Sequence, residues 1–145
     1  MFKPWNRSSE KGSGEMSYKL SDGTEVTKDT PEDVIQNDCI IRMNKDFKDY
    51  LAIWRNNTGA MKVDDRFIKF GIPGQGDASG IITPGFRLEV EFKRKGKKQT
   101  KRQINFQKNV VEYWGGIYLL CDGNYNDQIK VPLMRYIAKN LKPYE

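Results

Sequence analysis

Arg87-Leu88-Glu89-Val90-Glu91-Phe92-Lys93 alternates apolar and charged residues. A strand sends successive side chains to opposite faces, so Leu88, Val90 and Phe92 are expected in a core, with Glu89, Glu91 and Lys93 together on the other side. Pro84-Gly85 turns the chain just before this stretch, and Asp77 to Thr83 reads as its antiparallel partner, with Phe86 to Arg94 returning. The pairing brings Asp77 alongside Glu91 and Lys93. Two or three carboxylates with an ammonium beside them suit a hard divalent cation.

Further upstream, Arg66-Phe67-Ile68-Lys69-Phe70 alternates like a strand, and Gly71-Ile72-Pro73-Gly74-Gln75-Gly76 is a loop. That loop lacks the Gly-Lys-Ser/Thr ending of a phosphate-binding P-loop, and no helix directly follows it, which excludes a nucleotide cofactor. Thr30-Pro31-Glu32-Asp33 has the form of a helix start: Thr30 as N-cap, Pro31 in the first turn and an acid three residues after the cap. The helix runs through Ile35, Cys39 and Met43. Its end is ambiguous, because Phe47, Tyr50 and Trp54 continue the helical spacing while Tyr50 to Trp54 also reads as a strand, and Asn57-Thr58-Gly59 ends either one.

Downstream, Lys95 to Lys98 is a loop, and Gln99 to Trp114 reads as a helix with Ile104, Val110, Val111 and Trp114 apolar. Gly115-Gly116 stops it. Ile117 to Cys121 is a short apolar run of buried-strand type, and a last helix is expected over Val131 to Leu141. The order predicts an α/β fold, a mixed β-sheet flanked by helices. Residues 1–30, rich in Ser, Gly and charge, are expected as a loosely ordered arm, in part disordered, with a small hairpin at Ser21 to Thr24. Residues 31–145 form one domain, the size a single core supports. Trp54, Tyr113 and Trp114 lie among other apolar residues and are expected in the core.

The chain has no histidine, which removes His-ligated zinc, Ser-His-Asp triads and Cys-His nucleophiles together. Cys39 and Cys121 have no CxxC spacing and read as small buried residues. No apolar run is long enough to cross a bilayer, and Met1-Phe2-Lys3-Pro4-Trp5 lacks a signal peptide's apolar segment, so a cytoplasmic location without membrane contact is expected. The net charge of +6 favours a polyanionic partner.

Phosphodiester hydrolysis needs an activated water, a stabilised pentacovalent centre and a neutralised leaving oxygen, and bound magnesium supplies all of them. Asp77 and Glu91 are the candidate ligands, together with the backbone carbonyl of Phe92. Lys93 is placed to orient the water or accept its proton. Glu89 points the same way as Glu91 and is either a further ligand or a solvated neighbour. Glu32 either approaches the metal from the first helix or only favours its helix dipole. Gln103 is positioned to donate a hydrogen bond to a site carboxylate or water. The run Lys93, Arg94, Lys95, Lys97, Lys98, Lys101 and Arg102 suits a phosphate backbone, through counterion release.

Glu32…Gln36, Trp54-Arg55-Asn56-Asn57-Thr58-Gly59, Gly74-Gln75-Gly76-Asp77-x-x-Gly80, Glu91-Phe92-Lys93, Gln103 and Gly115-Gly116, taken in order, resemble the VRR-NUC nucleases of the PD-(D/E)XK superfamily. The resemblance spans roughly Pro31 to Asp122. It implies a restriction-endonuclease-like core and a Mg²⁺- or Mn²⁺-dependent DNA endonuclease. In it the residues matching Asp77 and Glu91 bind metal and Lys93 assists the water, and Glu32 and Gln103 also match family positions. Arg55, inside the matched stretch, joins the DNA-binding cations. Compact members are often phage-encoded, which would make the cytoplasm that of a bacterial host. They tend to be homodimers acting on branched DNA such as four-way junctions. Two departures stand out: Gly76 replaces the family's usual proline, and Glu89 is extra. A non-catalytic nucleic-acid-binding protein is the alternative from another class, and an inhibitor or structural phage protein is a third.

Overall fold

A computed structural model describes residues 18–57 and 59–140. The first part of the expected arm, residues 1–17, and the tail 141–145 lie outside this range. Over the described residues the protein is a mixed α/β fold with a mixed sheet and three α-helices. Helix α1 (Glu32–Asp46) is followed by strands β1 (Leu51–Arg55), β2 (Gly59–Val63), β3 (Arg66–Phe70), β4 (Ala78–Ile82) and β5 (Phe86–Phe92). Helix α2 (Lys101–Phe106) widens into a π-helical segment over Gln107–Glu112, then come β6 (Ile117–Cys121), a second π segment (Asn126–Lys130) and α3 (Val131–Asn140).

The main sheet has the order β1-β4-β5-β6, with β1–β4 and β4–β5 antiparallel and β5–β6 parallel. A parallel neighbour needs a crossover, which α2 and its π extension supply. Register assigns the two faces. Leu51, Ile53, Ala78, Ile82, Leu88, Val90, Phe92, Leu119 and Cys121 join Ile35, Cys39 and Met43 of α1 and Ile129 and Leu133 in one buried cluster. Trp54, Ser79, Arg87, Glu89, Glu91 and Tyr118 occupy the opposite face. The chain entering α2 crosses that second face, where Gln103 bonds Glu91 and Gln99 bonds Tyr118. Gly80 lets β1 and β4 meet: a Cβ there would lie 2.2 Å from the Ala52 carbonyl oxygen.

Several boundaries differ from the expected ones for identifiable reasons. Thr30 does not cap α1; its Oγ1 accepts from the Thr27 N–H, and Pro31 is the N-cap with no side-chain hydrogen bond. The ambiguous segment after α1 is a strand, because β4 offers it a ladder and because Asn44 exchanges two hydrogen bonds with the Ile53 backbone along the open edge of β1. Gly59, read as a terminator, begins β2, whose partner β3 the alternation had revealed. The helix expected over Gln99 to Trp114 starts at Lys101 after Thr100 and widens at Gln107.

That widening moves the buried positions. Phe106 and Val111 are buried five residues apart, the spacing a π turn aligns, while Ile104 and Val110 are exposed. Trp54, Tyr113 and Trp114 are therefore not core residues: they are 49%, 73% and 79% exposed. Trp54 falls on the second sheet face, and Tyr113 and Trp114 follow the point where the π segment ends. Both cysteines are buried as expected, with their sulfurs 3.9 Å apart.

The part of the arm within the described range, Tyr18 to Thr30, turns at Ser21 to Thr24 with Lys19 paired to Glu25. Val26 is fully buried in the core. Burial of this valine contributes about 1.5 kcal/mol or more toward holding the segment against the domain. No helix among the described residues is long and apolar enough to cross a membrane.

Candidate active site

Asp77 closes the glycine loop immediately before β4, and its backbone is fixed from several sides. The Asn56 N–H donates to the Asp77 carbonyl at 2.8 Å, while the Asn56 side chain donates to the Gly76 carbonyl at 2.8 Å and to Ser79 Oγ at 2.7 Å. Gln36 of α1, itself buried, reaches the Asp77 carbonyl at 3.4 Å. Asp77 Oδ2 accepts from the Phe92 N–H at 2.8 Å, which holds the end of β5 against the carboxylate.

Glu91 comes from the neighbouring strand and is 2% exposed. Its Oε1 accepts from Gln103 Nε2 at 2.6 Å and lies 3.7 Å from Lys93 Nζ. Its Oε2 is buried with no hydrogen-bond partner. Burial, and then the Asp77 charge, push the Glu91 carboxyl up to about 8. Burial also raises Asp77, opposed by the Phe92 N–H and by Lys93. Two carboxyls are thus held side by side in a partly dry site, with the Lys93 ammonium 3.7 Å from one of them. Asp77, Glu91 and Gln103 line a cleft of about 500 Å³, with Lys69, Gly74 and Arg102 also on its walls.

No family model, curated protein or solved structure matches this chain. The functional reading therefore rests on the geometry. Among the described residues, no three Cys, Asp or Glu side chains gather closely enough to form a metal-ligand cluster. The Asp77–Glu91 pair nevertheless fits a hard cation. Its donors are oxygens, one of them buried and unpartnered, and burial raises both carboxyls, with the Asp77 charge adding to the rise at Glu91, a cost that a bound divalent charge would offset.

Glu32 lies in the first turn of α1 and is half-buried, and its carboxyl is raised by burial and by Asp77 while Lys93 and Arg94 oppose the shift. It therefore shares the electrostatic environment of the pair without joining a three-residue cluster. Gln103 has two tasks. Its Oε1 accepts from the Thr100 N–H at 2.8 Å, completing a capping box with Thr100, and its Nε2 holds Glu91. The cation run is only partly gathered at the site: Arg102 lines the cleft, while Lys97, Lys98 and Lys101 are exposed outside it and Lys95 lies over the Tyr18 ring at 4.8 Å. Arg55, bonded to Asn37 at 3.3 Å, is close enough for its charge to act on Asp77.

Glu89 is corrected on both of its sequence readings, because it is neither solvated nor available to a metal. It is fully buried, and its Oε1 accepts from Ser79 Oγ at 2.5 Å and from Arg87 at 2.8 and 2.6 Å. Its Oε2 accepts from the Gly76 N–H at 3.2 Å. Gly76 and Glu89 thus form one feature, since a proline at position 76 would have no N–H to donate to Glu89. A Cβ at Gly76 would also lie 2.8 Å from Glu89 Oε2.

Several residues of the site had been given no role from the sequence. Gln36 lies one helical turn after Glu32, so its placement toward the site was legible from the i, i+4 spacing. Asn56, Ser79 and Lys69 had no such signal, because their roles depend on which strands become neighbours. Tyr118 is also there: its hydroxyl accepts from Gln99 at 3.1 Å and its phenol is pushed up, by burial first and then by Glu91 and Asp77.

Two expected outcomes follow from this geometry. Folded Glu91 keeps its proton to about pH 8, whereas its ordinary value is 4.5. Between those values the unfolded chain binds fewer protons, so stability falls as pH rises across this window. Urea unfolding in EDTA at pH 5 and pH 8.5 measures this, and Asp77→Asn flattens the slope by removing the charge that opposes Glu91 ionisation. Gln103→Ala, in turn, is expected to cost about 1–2 kcal/mol through the lost capping interaction and Glu91 bond.

Proposed function

We propose that this protein is a divalent-metal-dependent DNA endonuclease that hydrolyses phosphodiester bonds and selects branched DNA, such as four-way junctions. The observation that carries the reading is the Asp77–Glu91 carboxyl pair with Lys93 Nζ 3.7 Å from Glu91, set in an open cleft. The α/β order, with an acid from the loop before β4 and a Glu-x-Lys on β5, supports a PD-(D/E)XK core of VRR-NUC type. Homodimer formation and a phage-type origin remain proposals carried by the sequence resemblance.

Asp77, Glu91 and the Phe92 carbonyl would hold Mg²⁺ or Mn²⁺, with Glu32 nearby. When bound, the cation supplies Lewis-acid stabilisation of charge on the scissile phosphate and acidifies a water. Lys93, with its side chain 12% exposed, keeps its ammonium at the pair, where it orients a water or exchanges a proton with it. Gln103 fixes the Glu91 rotamer, and Arg102, Arg55 and the Lys95 to Lys101 cations neutralise phosphates along the approach. The absence of a three-acid cluster among the described residues favours one alternative, a basic nucleic-acid-binding protein without catalysis.

Labelled four-way junctions, flaps, nicked and intact duplexes, incubated with Mg²⁺, Mn²⁺ or EDTA, separate the readings. Cleavage is expected only with metal and preferentially on branched DNA. Binding in EDTA with no cleavage under any metal establishes the alternative, and cleavage that survives both Asp77→Ala and Lys93→Ala removes the assigned site.

A further inference from the structure

Strands β2 and β3 form a two-stranded ribbon separate from the main sheet. Every residue from Ala60 to Lys69 is exposed. The tip is made by Asp64 and Asp65, both at positive φ (48° and 62°), as a two-residue hairpin turn that follows strand twist requires. Across the ladder Ala60 faces Lys69 and Lys62 faces Phe67, so these four share one side of the ribbon. Ala60 and Lys69 line the cleft that holds Asp77 and Glu91. Phe67 therefore stands on the cleft side, two ladder pairs nearer the tip than Ala60–Lys69, with 74% of its surface exposed.

The chemistry of that side is specific. That side carries Lys62, which lies 3.7 Å from Asp65 at the tip, both well exposed. It offers one aromatic ring, with the Lys69 ammonium between that ring and the carboxyl pair. An intact duplex hides its base faces in the stack; an aromatic ring finds a partner only where a base has come free. We propose that Phe67 is a specificity-determining residue that stacks on a base unstacked at a discontinuity in DNA, a branch, flap or nick, while Lys69 holds the adjoining phosphate at the cleft. This rests on the nucleic-acid reading of the cleft and names what makes it structure-selective.

The opposite side of the ribbon exposes Met61, Val63 and Ile68, by 51%, 41% and 45%. A second copy of the chain is therefore the competing occupant that the test must read.

The full chain is titrated in EDTA onto a flapped or junction DNA carrying 2-aminopurine at the discontinuity, and onto an intact duplex of equal length. Wild type is expected to change the 2-aminopurine emission on binding and to prefer the discontinuous substrate. Phe67→Ala, a change at an exposed position, abolishes that emission change and lowers the preference by roughly 5- to 150-fold, the span of one base–aromatic stack, with intact-duplex affinity unchanged. Phe67→Trp restores both. Unchanged selectivity in Phe67→Ala overturns the proposal, as does a loss of self-association in sedimentation with DNA binding intact. Phe67-dependent binding without cleavage in any metal retains the proposal and removes the nuclease reading; metal-dependent cleavage with Phe67-independent selectivity does the reverse. Absence of any DNA binding removes both.

Discussion

With Lys93 replaced by alanine, metal-dependent cleavage of junction DNA is expected to fall by about 10²- to 10⁴-fold, the contribution of a positioned proton-transfer group. The side chain is mostly covered and its ammonium lies 3.7 Å from Glu91, the one ion pair Glu91 makes among the described residues. Asp77→Ala produces at least as large a loss, because it removes one of the two carboxylates available to a cation and leaves the Phe92 N–H without its acceptor. The two variants separate in binding. Metal-free affinity for junction DNA should be retained or increased in Asp77→Ala, since a negative charge leaves the cleft, and modestly weakened in Lys93→Ala. Single-turnover cleavage with Mg²⁺, paired with anisotropy measured in EDTA, reads both quantities. Activity near wild type in both variants contradicts the assignment.

The second large effect concerns stability. Glu89→Ala is expected to destabilise the protein by about 2–4 kcal/mol, because Ser79 Oγ and the Gly76 N–H lose a buried acceptor and the Arg87 guanidinium loses its counter-charge. Arg87 is half exposed and rehydrates in part, which keeps the loss below that of a fully buried pair. Removing both partners in Arg87→Ala/Glu89→Ala should cost less than the sum of the single changes, the coupling expected of a contacting pair. Urea unfolding followed by tryptophan fluorescence measures all three variants. Glu89 as a metal ligand predicts the opposite pattern: a stability loss seen only in the presence of metal. A loss of equal size in EDTA assigns Glu89 to the scaffold behind Asp77.

Alternation in Leu88-Glu89-Val90-Glu91-Phe92-Lys93 was sufficient to place its apolar residues in the core and its charged residues together, because strand geometry is local. The fate of the second face was not local. Glu89 and Glu91 are chemically identical and two residues apart, yet one is saturated by Arg87, Ser79 and Gly76 and the other keeps an unpartnered oxygen. Only the register β4 and β5 adopt puts Ser79 opposite Glu89, and only the approach of α2 brings Gln103 to Glu91. The exposed positions of Tyr113 and Trp114 were likewise hidden, since a π turn changes which residues share a helix face and nothing in the apolar pattern announces one.

By itself the sequence determined the α/β order, the strand carrying Glu91 and Lys93, the nearby Asp77 and the exclusion of histidine chemistry, all consequences of residue type and short-range spacing. Tertiary structure alone decided which carboxylate is buried scaffold and which faces the cleft, and that the β2–β3 ribbon stands beside it. Those outcomes depend on contacts between residues far apart in the chain, where a carboxylate's role is set by the donors that happen to surround it.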